Sequence, residues 1–112
     1  MNNSKFQIFK STINHQYYYR LRSTGNGEII LGGEGYTSKE SCLNGIKSVK
    51  ENAPIDSRYD RKDATNNYTF VLKGKNGEPI GRSENYVTSF SREIGITAVK
   101  RDAPVARIED LT

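Results

Sequence analysis

With 112 residues, seventeen Lys/Arg against thirteen Asp/Glu and a net charge of +4, the chain is one domain's worth, or two half-domains that share a core. Hydrophobic residues make up 34% and charged residues 27%, so the core must be economical, and the cations are scattered instead of forming the block that marks a dedicated polyanion site. Cys42 stands alone, which excludes an internal disulfide and a thiolate metal cluster. No stretch approaches a signal-peptide core or the ~20 apolar residues of a membrane span. These features predict a reducing, cytosolic setting with no cofactor, no bound metal and no membrane partner.

Taken in chain order, "KFQIFKS" (residues 5–11) and "QYYYRLRS" (16–23) read as two strands rich in aromatic and aliphatic side chains. "TGNG" supplies a tight turn, because Asn-Gly tolerates positive φ, and "EIILGG" (28–33) is a third strand. "TSKESCLNGIKSVKENAP" (37–54) is a helix, with Thr37 as cap, Glu40 completing a capping box and Pro54 as stop. Cys42, Ile46, Val49 and Ala53 form its apolar stripe, with Lys39, Lys47 and Lys50 mostly away from it. Gly45 lies mid-helix at a cost of roughly 1 kcal/mol against alanine, so it is expected where the backbone closely approaches a sheet or another helix.

The same text then returns. "NGEIILGGEGYTS" (26–38) recurs as "NGEPIGRSENYVT" (76–88), and downstream of the turn the offset is a constant fifty: Tyr36, Gly45, Ile46, Val49 and Pro54 reappear as Tyr86, Gly95, Ile96, Val99 and Pro104. Upstream, fifty would exchange the two faces of a strand. An offset of fifty-one instead matches Tyr17, Tyr19 and Leu21 to Tyr68, Phe70 and Leu72, so the first hairpin loop holds one extra residue. The chain is a duplication, about 5–56 and about 57–112, within a single domain. A fifty-residue unit buries too little surface to stand alone comfortably, so each copy is expected to complete the other's core about a pseudo-twofold axis.

The second copy departs in places. "SRYDRKDA" is a far more polar first strand, and Pro79 in place of Ile29 points to a strand end or sheet edge. Arg92 replaces Cys42, with Phe90 or Ile94 as candidates to compensate for the lost apolar position. "VARIEDLT" alternates and is expected to add a short closing strand.

The run Tyr17/Tyr19/Leu21/Arg22, Asn26-Gly27-Glu28, Glu34/Tyr36, Asn44-Gly45-Ile46 and Asn52-Ala53-Pro54, with its second set from Tyr68 to Pro104, resembles the YegP-like family over nearly the whole chain. The resemblance implies a small bacterial α+β protein of two tandem β3-α-β repeats. It further implies one mostly antiparallel sheet, one helix per repeat and C-terminal strands exchanged between units, with "PIDSRYD" and "VARIEDLT" as the exchanged segments. It carries no established activity, so the motif residues stand as fold residues.

Catalysis is not expected. His15, the single histidine, falls in a hairpin loop without a converging partner. Cys42 sits near a helix N-terminus but on the apolar stripe, where a free cysteine behaves as a small hydrophobe. Glu34 and Glu84 form an acid/base pair only if the axis brings them together; the simpler reading makes them hydrogen-bonded ends beside Tyr36 and Tyr86.

Two binding readings remain. The first is a protein-interaction or self-association module, in which Phe9, Ile29, Leu31 and Val71 leave an apolar patch on the second sheet face and strand edges invite pairing. The alternative is weak single-stranded nucleic-acid binding on that face: if Tyr17, Tyr19 and Leu21 face the helix, alternation turns Tyr18, Arg20 and Arg22 the other way, with Lys73 as the counterpart of Arg22. Tyr18, Arg20, Arg22 and Lys73 are therefore the candidate contact residues for a nucleic acid or another partner.

Overall fold

The computed structural model describes residues 2–112. Each repeat lays down three strands and a helix: β1 Lys5–Lys10, β2 Tyr17–Arg22, β3 Ile29–Gly32 and α1 Lys39–Asn52, then β4 Tyr59–Ala64, β5 Asn67–Lys73, β6 Pro79–Arg82 and α2 Ser89–Asp102, with β7 Arg107–Asp110 closing the chain. They form one seven-stranded sheet in the order β4-β5-β6-β3-β2-β1-β7, antiparallel throughout except where β7 runs parallel to β1. The halves join where Gly32 pairs with Arg82. These positions are equivalent in the two repeats, so the pseudo-twofold axis passes between them.

Both segments that follow a helix enter the sheet of the other repeat. β7 adds to β1, and β4, which starts at Tyr59 of "PIDSRYD", pairs with β5. β4 is also the first strand of the second repeat. Only a short turn, Asp56–Arg58, separates it from α1, leaving no chain for a separate exchanged strand, so the sheet has seven strands and not eight.

Local chemistry sets the boundaries. Asn26-Gly27 and Asn76-Gly77 make the turns, with Gly27 and Gly77 at φ of 71° and 83°. The helix caps correct the expected one: Ser38, not Thr37, accepts from the Ser41 N–H at 3.1 Å, and Thr88 does the same for Ser91 at 3.0 Å. Ser38 holds the extended backbone that a cap requires, while Thr37 lies one residue outside and is exposed. Pro79 opens β6, so the strand-end reading holds. The sheet-edge reading fails, because β6 lies between β5 and β3.

Both helices cover one face. Cys42, Ile46, Val49 and Ala53 are buried as the stripe requires, with Ile96, Val99 and Ala103 beside them, against Phe6, Ile8, Tyr19, Leu21, Leu31, Phe70 and Leu72. Each fully buried large side chain here contributes roughly 1.5–3 kcal/mol. Bulges at Leu21/Arg22 and Leu72/Lys73 leave Ile30 and Ile80 between paired neighbours, and both pack on the core. Gly45 and Gly95 do answer a packing need, but the neighbour is a tyrosine and not a sheet backbone or second helix. A Cβ would sit 2.7 Å from Cζ of Tyr36 or Tyr86, whose main chain is bridged to Tyr17 or Tyr68.

At the axis the symmetry is broken so that the halves fit. Leu31 occupies the space that its own counterpart Gly81 leaves empty, where a Cβ would meet Leu31 Cδ2 at 2.7 Å and the Tyr19 hydroxyl at 2.9 Å. The edge-on pair Phe6–Tyr19 is answered by Tyr59–Phe70 with its hydroxyl on the other ring. Tyr19 donates to the Ile80 carbonyl and Tyr59 to the Ala53 carbonyl, so each hydroxyl fastens one repeat to the other.

Candidate functional site

On the face away from the helices, register alone places one residue per strand in a row across the whole sheet: Glu109, Gln7, Arg20, Gly32, Arg82, Val71 and Asp60. Tyr18, Arg20 and Arg22 are on this face as strand alternation predicts, each half-buried. Phe9 stacks on Tyr18 at 5.8 Å between centroids, and the Arg20 guanidinium lies over the Phe9 ring at 4.7 Å. Arg20 and Arg22 both donate their Nε–H to a single acceptor, the side-chain oxygen of Gln7, at 2.7 Å each. Arg22 also donates to the Gly27 carbonyl at 2.8 Å. Gln7 is 8% exposed and passes its own amide to Glu109 at 2.6 Å. Gln7's hydrogen bond and the charge of Lys5 hold the Glu109 carboxyl below the usual glutamate value.

Lys73 shares the face but not the cluster. It lies 3.4 Å from Asp60, which also takes Lys62 at 3.3 Å, and the two lysines hold the Asp60 carboxyl low. Arg82 is paired with Glu34 at 3.0 Å. Among the described residues, Arg20 and Arg22 have no carboxylate within ion-pair distance; a neutral amide organises them instead. Gln7 escaped the sequence reading because a polar residue inside a strand carries no period of its own.

The expected apolar patch on this face is absent. Leu31 belongs to the core on the opposite side, Val71 is 5% exposed, and Phe9 and Ile29 are half-buried, Phe9 beneath Arg20. The bulge beside Arg22 turns β3 so that Ile30 and Leu31 both go inward.

Apolar exposure lies instead on α2, correcting the role expected of Phe90 and Ile94. They do not fill in for Cys42; they are 74% and 55% exposed, while Arg92 itself is buried at 5%. Its guanidinium lies over the Tyr68 ring and donates to the carboxylate of Asp63 and, at 3.0 Å, to Glu93. Glu93 and Asp56 both bind Arg61, and Asp56 takes Lys100 at 2.6 Å. This chain of alternating charge ties α2 to the polar strand β4. Phe90 and Ile94 form part of the wall of a groove of about 580 Å³ between α2 and the β2–β3 hairpin, lined also by Thr24, Glu28, Ile30 and Tyr86. Comparing the repeats would have flagged it, since Phe90 and Ile94 stand where α1 has Glu40 and Asn44.

His15 stands apart, while Cys42 and Glu34 both act on the Tyr36 hydroxyl. His15 is exposed, at φ 59°, and its counterpart Asn66 has φ 56°. Cys42 is buried in the core, which pushes its thiol up to about 11. Glu34 pairs with Arg82, and Tyr36 and Tyr86 pack at the strand-to-helix corners. Among the described residues no group of His, Cys, Asp and Glu is arranged to hold a metal, and no helix is long and apolar enough to cross a membrane.

Comparison with known proteins agrees with the doubled architecture. A domain of unknown function, DUF1508, matches twice, over residues 14–60 and 63–110. The chain is 44% identical over 108 residues to the UPF0339 protein YegP of Escherichia coli (strain K12), covering 96% of each. It is 49% identical over 98 residues to a UPF0339 protein of Bordetella pertussis, covering 87% of each. The solution structure of YegP from E. coli superimposes with a TM-score of 0.91 at 41% identity, over 100% of this chain and 96% of that one. A UPF0339 protein from Shewanella oneidensis gives 0.90 at 39% identity, over 98% and 92%. None of these relatives carries an enzymatic name. Repeat, fold and relatives together identify the chain as a member of the YegP-like DUF1508 (UPF0339) family, whose function is unknown.

Proposed function

We propose that the chain is a non-enzymatic interaction module that self-associates through the α2 face, the groove of one copy receiving Phe90 of a second. The observation that carries this reading is the exposure of Phe90 and Ile94 where the equivalent residues of α1 are Glu40 and Asn44. The fold is built in the first repeat with polar residues at those positions, so apolar ones in the second are not a folding requirement. The projecting ring and the recess belong to one patch. That is the self-complementarity a twofold dimer needs, because the same surface serves both copies. His15 is exposed in a hairpin loop, Cys42 is buried in the core and Glu34 is engaged by Arg82, which supports a role without catalysis. A buried, lone Cys42 suits a reducing, cytosolic setting.

Sedimentation velocity over a concentration series tests the reading. A dimer is expected that Phe90→Glu converts to a monomer. A strict monomer at every concentration, or a dimer indifferent to Phe90→Glu and Ile94→Glu, overturns it.

A further inference from the structure

The face opposite the helices holds an arrangement that neither the core nor the α2 groove uses. We infer that it binds single-stranded nucleic acid, with Arg20 and Arg22 meeting the backbone and the Phe9–Arg20 stack receiving a base.

Three observations point the same way. First, the two guanidiniums are organised but not neutralised. Each spends its Nε–H on Gln7 Oε1, a neutral acceptor on a buried side chain, and Arg22 spends one more N–H on Gly27. A guanidinium has five N–H donors, so the outward edges keep free donors and full charge. The side chains are already held in place, which removes much of the ordering cost of binding. Second, Arg20 and Arg22 are two residues apart on one strand, about 6.7 Å, so a backbone running along β2 meets both in succession. Third, the guanidinium resting on Phe9, which itself stacks on Tyr18, leaves an outer planar face. Unstacked bases are held on aromatic rings and on arginine planes alike.

The surrounding cations sharpen the location. Lys62 and Lys73 share Asp60, and Arg82 is matched by Glu34. The shared aspartate leaves one charge in excess on the second repeat, against two guanidiniums without an ion-pair partner on the first, where Tyr18 and Arg20 stand in place of Thr69 and Val71. A flat sheet suits splayed single strands; reading a duplex calls for an element that enters a groove.

The test is fluorescence anisotropy with short labelled oligothymidylate and oligouridylate on the full chain. Binding is expected to weaken about sevenfold between about 50 and 200 mM salt, the slope of roughly −1.4 that two neutralised phosphates give on single strands. Arg20→Ala and Arg22→Ala should each weaken binding at least about fivefold and halve that slope, to roughly −0.7. Gln7→Glu combined with Glu109→Gln keeps the shape of the cluster but places a carboxylate between the guanidiniums, and it should weaken binding as much as losing one arginine. Lys47→Gln removes an exposed charge from α1 on the opposite face and should leave binding unchanged, which separates this site from the effect of net charge. Three results overturn the inference: no binding at about 50 mM salt, binding that survives the double arginine variant, or phosphatidylserine vesicles bound as tightly as the oligonucleotides with the same dependence on Arg20 and Arg22.

Discussion

The two repeats reach the same backbone by different chemistry. In the first, α1 meets its strands through Cys42 and an apolar β1, with Phe6 and Ile8 in the core. In the second, Arg92 replaces the cysteine, β4 is mostly polar, and an ionic chain from Asp63 through Glu93 and Arg61 to Asp56 holds helix to strand. A duplicated fold can thus keep its geometry while an apolar contact becomes an ionic one, provided the partners change together. Lys10 shows this: the hairpin register makes it the counterpart of Asp63, which is why the first repeat could not accommodate an arginine at position 42.

Exchanging the two residues breaks the comparison most severely. Cys42→Arg buries a cation facing Lys10 with no carboxylate to meet it, and should cost ~3–5 kcal/mol, the range for an uncompensated buried charge. Arg92→Cys leaves Asp63 and Glu93 solvated and should cost only ~1 kcal/mol. Urea unfolding of both variants measures the asymmetry, and equal losses would mean that the repeats are not held by different means.

Where the repeats agree, substitution should treat them alike. Gly45→Ala and Gly95→Ala each force a methyl toward a tyrosine ring, and overpacking of ~1–3 kcal/mol should outweigh the better helix propensity. Tyr36→Phe should relieve part of the Gly45→Ala loss, because the hydroxyl contact goes while the ring Cζ stays close, and none of that of Gly95→Ala, which a four-variant cycle reads directly.

Acid gives a subtler contrast. Arg61 beside Glu93, and Lys100 with Arg61 beside Asp56, hold these carboxyls below their ordinary values. Groups depressed in the folded state stabilise it fully above their unfolded values, near 4, and that contribution is lost as pH falls through the folded ones. Taken relative to the intrinsic amide rates, hydrogen exchange below about pH 4 should therefore speed up in β4 more than in β2, whose Arg20 and Arg22 lean on a neutral amide and not on a carboxylate. Equal acceleration in the two strands would argue that the ionic chain contributes nothing to docking. The smallest effect on stability is expected for Phe90→Glu, within about 0.5 kcal/mol as for an ordinary surface change, even as it abolishes self-association.

Much of the architecture was legible because the duplication acts as its own alignment. Tyr17, Tyr19 and Leu21 matched to Tyr68, Phe70 and Leu72 set the core face, and the 42/46/49/53 stripe set the helix face. The same fifty-residue offset pairs Ser38 with Thr88, and so held the correct cap, but Thr37 with Glu40 imitates a capping box closely enough to mislead. Burial of Arg92 was illegible, because hydropathy ranks it as a surface residue; the outward turn of Phe90 was hidden by the same ranking, although its repeat counterpart Glu40 marks the position as a solvent-facing one. Only the partners at 61, 63 and 93, scattered over two elements, make the arginine affordable inside. Gln7 was missed for a related reason: its importance comes from register, which brings Arg20 and Arg22 to the same oxygen from the neighbouring strand.

The parallel pairing of β7 with β1 also has a consequence in time. Lys5 lies opposite Arg107, about a hundred residues later. At ~5–20 residues per second of synthesis, the outer rim of the first strand waits roughly 5–20 s for its cover. During that interval it presents unpaired N–H and C=O groups that another nascent chain's final strand fits as well as its own. A chain ended after Ala106 would make that state permanent, and light scattering would follow it as slow aggregation. The last few residues therefore act as a seal, deciding whether each molecule closes on itself or on its neighbour.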